Sequence, residues 1–255
     1  MSSISGVSAS SYADYGKIAS GKRVQTSADG AAELSIIEKE DAQARGYDAG
    51  ANNIGSAQDM LRVADGALDG ITDHLQRIRE LAVQASNTAV LSDSDRASIQ
   101  KEVDQLKQGI ADIAANTAFN TKNLLDGSNM EFRFATDGNG ASVTVNTGNA
   151  TLEALGIADF DVTGDFDITD IDEALSIVTS QRSSAGAQSN ALEHAYNYTT
   201  GAALNTRASK SRLEDLDIPE AISELKKKQT LEQYKLMMQK KQMEHNVNRM
   251  RNMFT

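Results

Sequence analysis

Apolar residues at Leu61, Ala64, Leu68, Ile71, Leu75, Ile78, Ala82 and Ala85 recur in alternating steps of three and four. That spacing lays a straight stripe down one side of an α-helix, and the stripe needs other helices to cover it. At a rise of about 1.5 Å per residue, the stretch predicts a rod about 37 Å long. The glycines at 46, 50 and 55 weaken what precedes it, so the helix is expected to start near Ala51. Ile99, Val103, Leu106, Ile110 and Ile113 repeat the rhythm and predict a second helix, returning antiparallel to about Asn116. Ser92, with Asp95 three residues on, has the form of a capping box at its start. A third stripe holds Ile171, Leu175, Val178, Arg182, Ala185, Ser189, Leu192, Tyr196, Thr199, Ala203 and Thr206. Thr169 and Asp172 read as the capping box that opens this helix, which runs to about Ser209.

Between the second and third stripes the period changes. Glu131-Phe132-Arg133-Phe134 and Ser142-Val143-Thr144-Val145 alternate in twos around Asp137-Gly138-Asn139-Gly140, which predicts a β-hairpin. It is short for a domain, and a small cap at the far end of the bundle is expected. At the chain ends the patterns weaken. Ile4, Val7, Ser11, Tyr15 and Ile18 approach helical spacing in a Ser-rich segment that would be marginal alone. Leu236, Met243, Val247, Met250 and Phe254 keep a seam that Lys240 interrupts, and this helix is expected to pair with the N-terminal one. The fold class expected is mainly α: a long-helix rod or coiled-coil bundle with a small β-hairpin cap.

Composition agrees with helices cemented by Ala, Leu and Ile, since aromatics are only 5% and Trp is absent. With no Cys, disulfides and thiolate metal sites are excluded, which suits an extracellular life. The formal charge of −11 argues against nucleic acid as a partner, because phosphate neutralisation needs net Lys and Arg. The charge is uneven: Pro219 to Thr255 hold eight Lys/Arg against four Asp/Glu, a net +4 that leaves −15 elsewhere. No apolar run approaches the roughly 20 residues of a membrane span. The first seventeen residues show neither a basic n-region nor an apolar h-region, so export without a cleaved signal peptide is expected. His74, His194 and His245 are scattered on predicted helices without a ligand pattern and read as solvated. Gly138 and Gly140 are followed by no Gly-Lys-Ser/Thr and make no phosphate loop. The acidic cluster Asp159, Asp161, Asp165, Asp167, Asp170 and Asp172 lacks the Gly and terminal Glu of an EF-hand. No catalytic residues, cofactor or metal site are expected, and no enzyme.

Four stretches resemble bacterial flagellin. Lys17-Ile18-Ala19-Ser20-Gly21-Lys22-Arg23-Val24 with Asp29-Gly30-Ala31-Ala32-Glu33-Leu34 is similar to the family's "L-S-S-G-x-R-I … D-D-A-A-G-L" signature. The run from Leu75 to Asn87 (LQRIRELAVQASN) nearly repeats the family's strongest motif. The others are Phe119 to Gly127 (FNTKNLLDG), and Arg182 to Asn190 (RSSAGAQSN) leading to Ser211-Arg212-Leu213-Glu214-Asp215. The ends depart from the family. Met1-Ser2-Ser3-Ile4-Ser5-Gly6 stands where flagellins usually open "M-x-I-N-x-N". The chain closes on Asn252-Met253-Phe254-Thr255 rather than near "L-L-x".

The resemblance implies a short flagellin with a minimal variable region. Its parts would be an inner N-terminal helix over 1–44, outer-bundle helices over 45–127 and 168–216, a short variable region over 128–167, and an inner C-terminal helix over 217–255. It implies a structural subunit that polymerises with itself into the extracellular flagellar filament. Export unfolded through the flagellar type III channel is implied too, with an export chaperone and cap and junction proteins as partners. The terminal helices, including Ile4, Val7, Ile18, Leu236, Met243, Val247, Met250 and Phe254, would order on assembly. A minor or specialised flagellin and a hook–filament junction protein are the alternatives. A third class is a binding module, whose Met- and Lys-rich tail would lie on a membrane or in a groove.

One surface can be read further. With Leu61 at a heptad a position, Arg77, Glu80, Leu81 and Gln84 fall beside the seam at offsets of zero, three, four and seven, on one helix face. By resemblance, this is where the animal Toll-like receptor for flagellin docks. The matching positions are Gln76, Arg77, Arg79, Glu80, Leu81 and Gln84, with Glu102 from the second helix. In a filament, the same face would meet the next subunit.

Overall fold

The computed structural model describes residues 13–87 and 89–253. The expectations for Ile4, Val7, Ser11 and Phe254 lie outside the described residues. Among the described residues there are five helices: α1 (13–20), α2 (Ser27–Ala85), α3 (Asp93–Asn116), α4 (Thr169–Glu214) and α5 (Ile218–Met253). Between α3 and α4 lie two antiparallel hairpins. The first joins β1 (Ala118–Phe119) to β2 (Lys122–Asn123). Its two-residue turn has positive φ at both Asn120 and Thr121, the twist that favours tight hairpins. The second joins β3 (Glu131–Ala135) to β4 (Ser142–Asn146), with Phe132 opposite Val145 and Phe134 opposite Val143. The chain divides into two compact units, one of residues 43–204 and one of residues 1–42 with 205–255.

In the first unit the apolar stripes are the core. Leu61, Leu68, Ile71, Leu75 and Ile78 of α2 are buried with Val103 and Ile110 of α3 and Ile171, Val178 and Leu192 of α4. Ile99, Leu106, Ile113 and Leu175 are partly buried against the same cluster. Ser92 caps α3 with the full reciprocal box: its Oγ accepts from Asp95 N, and the Asp95 side chain accepts from Ser92 N at 3.0 Å. At α4 the expected box between Thr169 and Asp172 does not form. Asp167 accepts from Thr169 N at 2.9 Å instead, and Asp172 turns to an arginine of α2. Two members of the third stripe also depart from it. Arg182 is half-buried and bridges Asp65 (3.0 Å) and Asp69 (2.7 Å) of α2, and Tyr196 is exposed.

The expected start near Ala51 is overturned, because α2 is helical from Ser27, leaving helical backbone angles only at Gly30. Two of the glycines read as helix breakers, Gly46 and Gly50, serve as a docking site. A Cβ at Gly50 would stand 1.8 Å from Thr136 O, and one at Gly46 would stand 2.9 Å from Gly138 N. Their lack of side chains lets the β3–β4 turn lie directly on the helix. Asn53 Nδ2 donates to Ala135 O at 3.0 Å, and Gln188 of α4 bonds both N and O of Asn146. The hairpin is thus seated on α2 and α4 through its turn and its β4 end.

A second departure is the strap from Thr147 to Ile168. It has no regular strand, yet it buries Ala150, Leu155, Ile157, Phe160 and Val162 in the core. Phe160 and Phe166 meet edge to face at 5.8 Å. α3 holds the strap by its backbone: Lys107 Nζ donates to Ala158 O (2.7 Å) and Phe160 O (3.0 Å), and Gln100 Oε1 accepts from Val162 N (2.8 Å).

The other unit is held by polar contacts more than by apolar mass. Lys22 and Asp215 form an antiparallel bridge, with Arg23 N donating to Glu214 O and Leu216 N to Gly21 O. The Glu214 carboxylate is buried beside Lys22 and Lys210, and Lys210 also pairs with Asp41. Asp29 accepts from Lys17, Thr26 and Gln25, which holds its carboxyl far below the usual range, the Lys17 bond contributing most. α1 and α5 do pair: Lys228 meets Asp14, and Gln229 Nε2 donates to Tyr15 Oη, both at 2.8 Å. Leu225 is buried at that junction and Ile18 half-buried.

Candidate functional site

The last three turns of α2 present alternating apolar and polar positions. Leu75, Ile78, Ala82 and Ala85 are buried, so the residues between them must face outward. Gln76, Arg77, Arg79, Glu80 and Gln84 are exposed. Arg77 reaches across to α3. Its Nε and Nη2 donate to Glu102 Oε1 at 2.9 and 2.8 Å, and Nη1 donates to Glu80 Oε2 at 2.9 Å. The guanidinium is thus spread between two carboxylates from two helices. These bonds, Glu102 first and then Glu80, push its pKa further up, so the group is a fixed cation. Its side chain keeps about half of its exposure (49%), which makes the pair with Glu102 a weak contributor to stability but a well-oriented donor surface.

The structure separates two residues from this face. Leu81 is 2% exposed and belongs to the hydrophobic core, so its place on the exposed face beside Arg77 is corrected. Four residues after Arg77 along the helix, its side chain rolls toward the seam and is covered there. Arg79 points to the opposite flank, about 200° further round the helix than Arg77. There Nε donates to Asp172 Oδ1 of α4 at 2.6 Å. The face that remains is Gln76, Arg77, Glu80 and Gln84 of α2 with Glu102 of α3. The tie of Arg79 to α4 was missed in the sequence, where Asp172 reads equally well as a helix cap.

The seam residues named for the C-terminal helix behave differently from those of the bundle. Leu236, Met243, Val247 and Met250 are all exposed, Met243 at 66%, although they follow the same spacing. Leu236, Met243 and Val247 line a shallow groove with Lys240 and Glu244 at its edges. Among the described residues no group of three or more His, Asp or Glu is placed to hold a metal ion. No described helix is long and apolar enough to cross a membrane.

Known proteins agree on what this arrangement is. Residues 1–130 match the family model of the bacterial flagellin N-terminal helical region, and residues 168–250 match that of the C-terminal helical region. The flagellin of Bacillus subtilis strain 168 is 32% identical, over 85% of this chain and 84% of its own. The flagellar filament core protein of Brachyspira hyodysenteriae is 34% identical, over 88% of this chain and 86% of its own. The crystal structure of Bacillus cereus flagellin superposes with a TM-score of 0.52 at 30% identity, covering 62% of this chain and 94% of that one.

Proposed function

The chain belongs to the bacterial flagellin family, and on that premise we propose that one polar face of its helical bundle serves two settings. The protein is a structural subunit that polymerises with itself into the flagellar filament. In the filament, the face built on Arg77 and Glu102 is covered by the neighbouring subunit. On free subunits it is the surface read by the animal Toll-like receptor for flagellin. The single observation that supports this is the exposed guanidinium of Arg77, held in a fixed orientation by Glu102 and Glu80. A preset planar fork of donors loses little freedom on binding, and arginine at an interface centre is often a hot spot. Gln76 and Gln84 flank it, and Arg79, turned to Asp172 on the opposite flank, lies outside it. Leu81 supports the face from beneath and is not itself a contact.

In the same reading, residues 1–44 and 217–255 form the inner terminal helices, and 45–127 with 168–216 form the outer bundle. The exposed stripe of α5 is the surface that subunits bury against one another on assembly. The chain leaves the cell unfolded through the type III channel with an export chaperone, and meets cap and junction proteins at the growing tip.

The test is Arg77→Ala, measured on folded monomer with unchanged helicity. Receptor binding should fall at least tens-fold, in line with a loss of about 2 kcal/mol or more at a hot spot. Filament growth from the same preparation should slow. Receptor binding as tight as the parent's would remove Arg77 from the site.

A further inference from the structure

The turn from Thr136 to Ala141 holds the only Asn-Gly pair of the chain, Asn139-Gly140. The turn is closed by Thr136 N donating to Ala141 O at 2.9 Å. Asp137 fixes it from inside, its Oδ1 accepting from Asn139 N and from Ala141 N, both at 2.9 Å. The amide between those two, Gly140 N, takes part in no such bond, and Asn139 and Gly140 are both exposed. Gly140 has φ +95°, and a Cβ built there would meet nothing within 4 Å. Position 140 has no side chain to stand between the Asn139 amide and the nitrogen that follows it, and the space where one would stand is open.

We infer that Asn139 is a site of spontaneous covalent modification in the folded protein: deamidation through a cyclic imide. Gly140 N gives its proton to solvent base and attacks Asn139 Cγ, and the side-chain nitrogen departs as ammonia. The resulting succinimide has Gly140 N bonded to two carbonyl carbons of Asn139, Cγ and the backbone carbon. Water then adds to one of them and breaks its bond to nitrogen. Opening at Cγ restores a normal peptide with an aspartyl side chain. Opening at the backbone carbonyl leaves an isoaspartyl link, in which the chain runs through the former side chain. The net change consumes one water and releases one ammonia.

Either product adds a negative charge two residues from Asp137, in a chain that already carries −11. The isoaspartyl product also lengthens the turn by one backbone carbon. That length cannot be absorbed locally, because Asp137 spans 139 to 141 with two bonds and Gly138 lies against Gly46 of α2. The modified turn should lift from the helix, taking Thr136 away from Gly50.

The experiment ages folded full-length protein at mildly alkaline pH and maps its peptides by mass spectrometry. Isoaspartyl groups are counted separately with a protein isoaspartyl methyltransferase. Position 139 should convert faster than every other asparagine by about tenfold or more, equivalent to about 1.4 kcal/mol in barrier. Asn139→Ser should abolish the isoaspartyl signal. Amide exchange at 43–53 and 134–141 should quicken in the aged parent but not in the aged variant. A folded protein in which 139 reacts no faster than other asparagines, with conversion appearing only after denaturation, would overturn the inference, since the turn would then protect its own amide. Conversion without faster exchange at 43–53 would overturn the predicted lifting of the turn.

Discussion

The bundle helix α2 and the C-terminal helix α5 carry hydrophobic stripes of similar spacing, yet one stripe is buried and the other faces outward. In α2, Leu68, Ile71, Leu75 and Ile78 are buried completely or nearly so, because α3, α4 and the strap surround them. In α5, Leu236, Met243, Val247 and Met250 keep more than half of their surface, and among the described residues the hydrogen bonds to α1 are those of Lys228 and Gln229. Periodicity thus states that a face will be covered without stating by what. A stripe satisfied inside the chain stabilises the monomer, whereas one left open is available to other subunits. The residues differ accordingly. The covered stripe uses Leu and Ile, whose shapes pack in one way, and the open one is rich in Met, which adapts to more than one neighbour.

The contrast breaks most visibly if α5 is removed. Deleting residues 220–255 should abolish filament formation while leaving the helicity and thermal transition of the 43–204 unit intact, read by sedimentation and circular dichroism. Filaments from the truncated protein would show that the open stripe is not an assembly surface. Next in size is a matched pair of truncations. Leu75→Ala should lower the unfolding free energy of the monomer by about 2–5 kcal/mol, as expected for a buried leucine. Met243→Ala should leave it within about 0.5 kcal/mol, as for an exposed position. Equal losses would erase the distinction between the two stripes.

A smaller effect should follow at the docking glycine. Gly50→Ala places a methyl group where Thr136 O stands, and overpacking of this kind costs about 1–3 kcal/mol. The alanine recovers up to about 1 kcal/mol of helix propensity, which offsets only part of a clash with backbone, so a net loss remains. It should appear as faster amide exchange confined to the β3–β4 hairpin. A local effect is expected at the start of α3, where Ser92→Ala should cost about 0.5–2 kcal/mol at neutral pH. Bonds from the Ser92 side chain and then its backbone hold the Asp95 carboxyl below its ordinary value. That contribution is therefore complete above the ordinary carboxylate range and is lost as pH falls through the lowered folded value. The gap between parent and Ser92→Ala, followed by denaturant titration, should narrow on acidification.

Much of the bundle was legible because its signals are local. Ser92-x-x-Asp95 states a helix start, and the alternation of Phe132 and Phe134 with Val143 and Val145 states a hairpin in register. The departures arise where a residue's partner is distant in sequence. Gly46 and Gly50 look like breakers until the turn at 136–138 arrives to use their missing side chains. Leu155, Ile157, Phe160 and Val162 follow neither period, because the strap gains its order from Lys107 and Gln100 binding its carbonyls and amide rather than from a ladder of its own. In the candidate face, the exposed row Arg77, Glu80 and Gln84 follows from helical offsets, whereas Gln76 is placed there by the resemblance alone. The burial of Leu81 does not follow from the offsets, since a heptad g position can roll either way and only the packing around it decides.

The docked hairpin also determines where the bundle can accept foreign sequence. A peptide spliced at 138–139 would have to grow out of a turn whose backbone already rests on Gly46, and it would lever the hairpin from α2. The bend at Thr163-Gly164-Asp165 is different: all three residues are exposed, and nothing stands within 4 Å of a Cβ built at Gly164. Thr163 is braced by Asp161, which accepts from its N and Oγ1, so the chain enters the bend from a fixed point. For displaying an epitope on the surface of this subunit, the graft belongs at the bend of the strap and not at the tip of the hairpin.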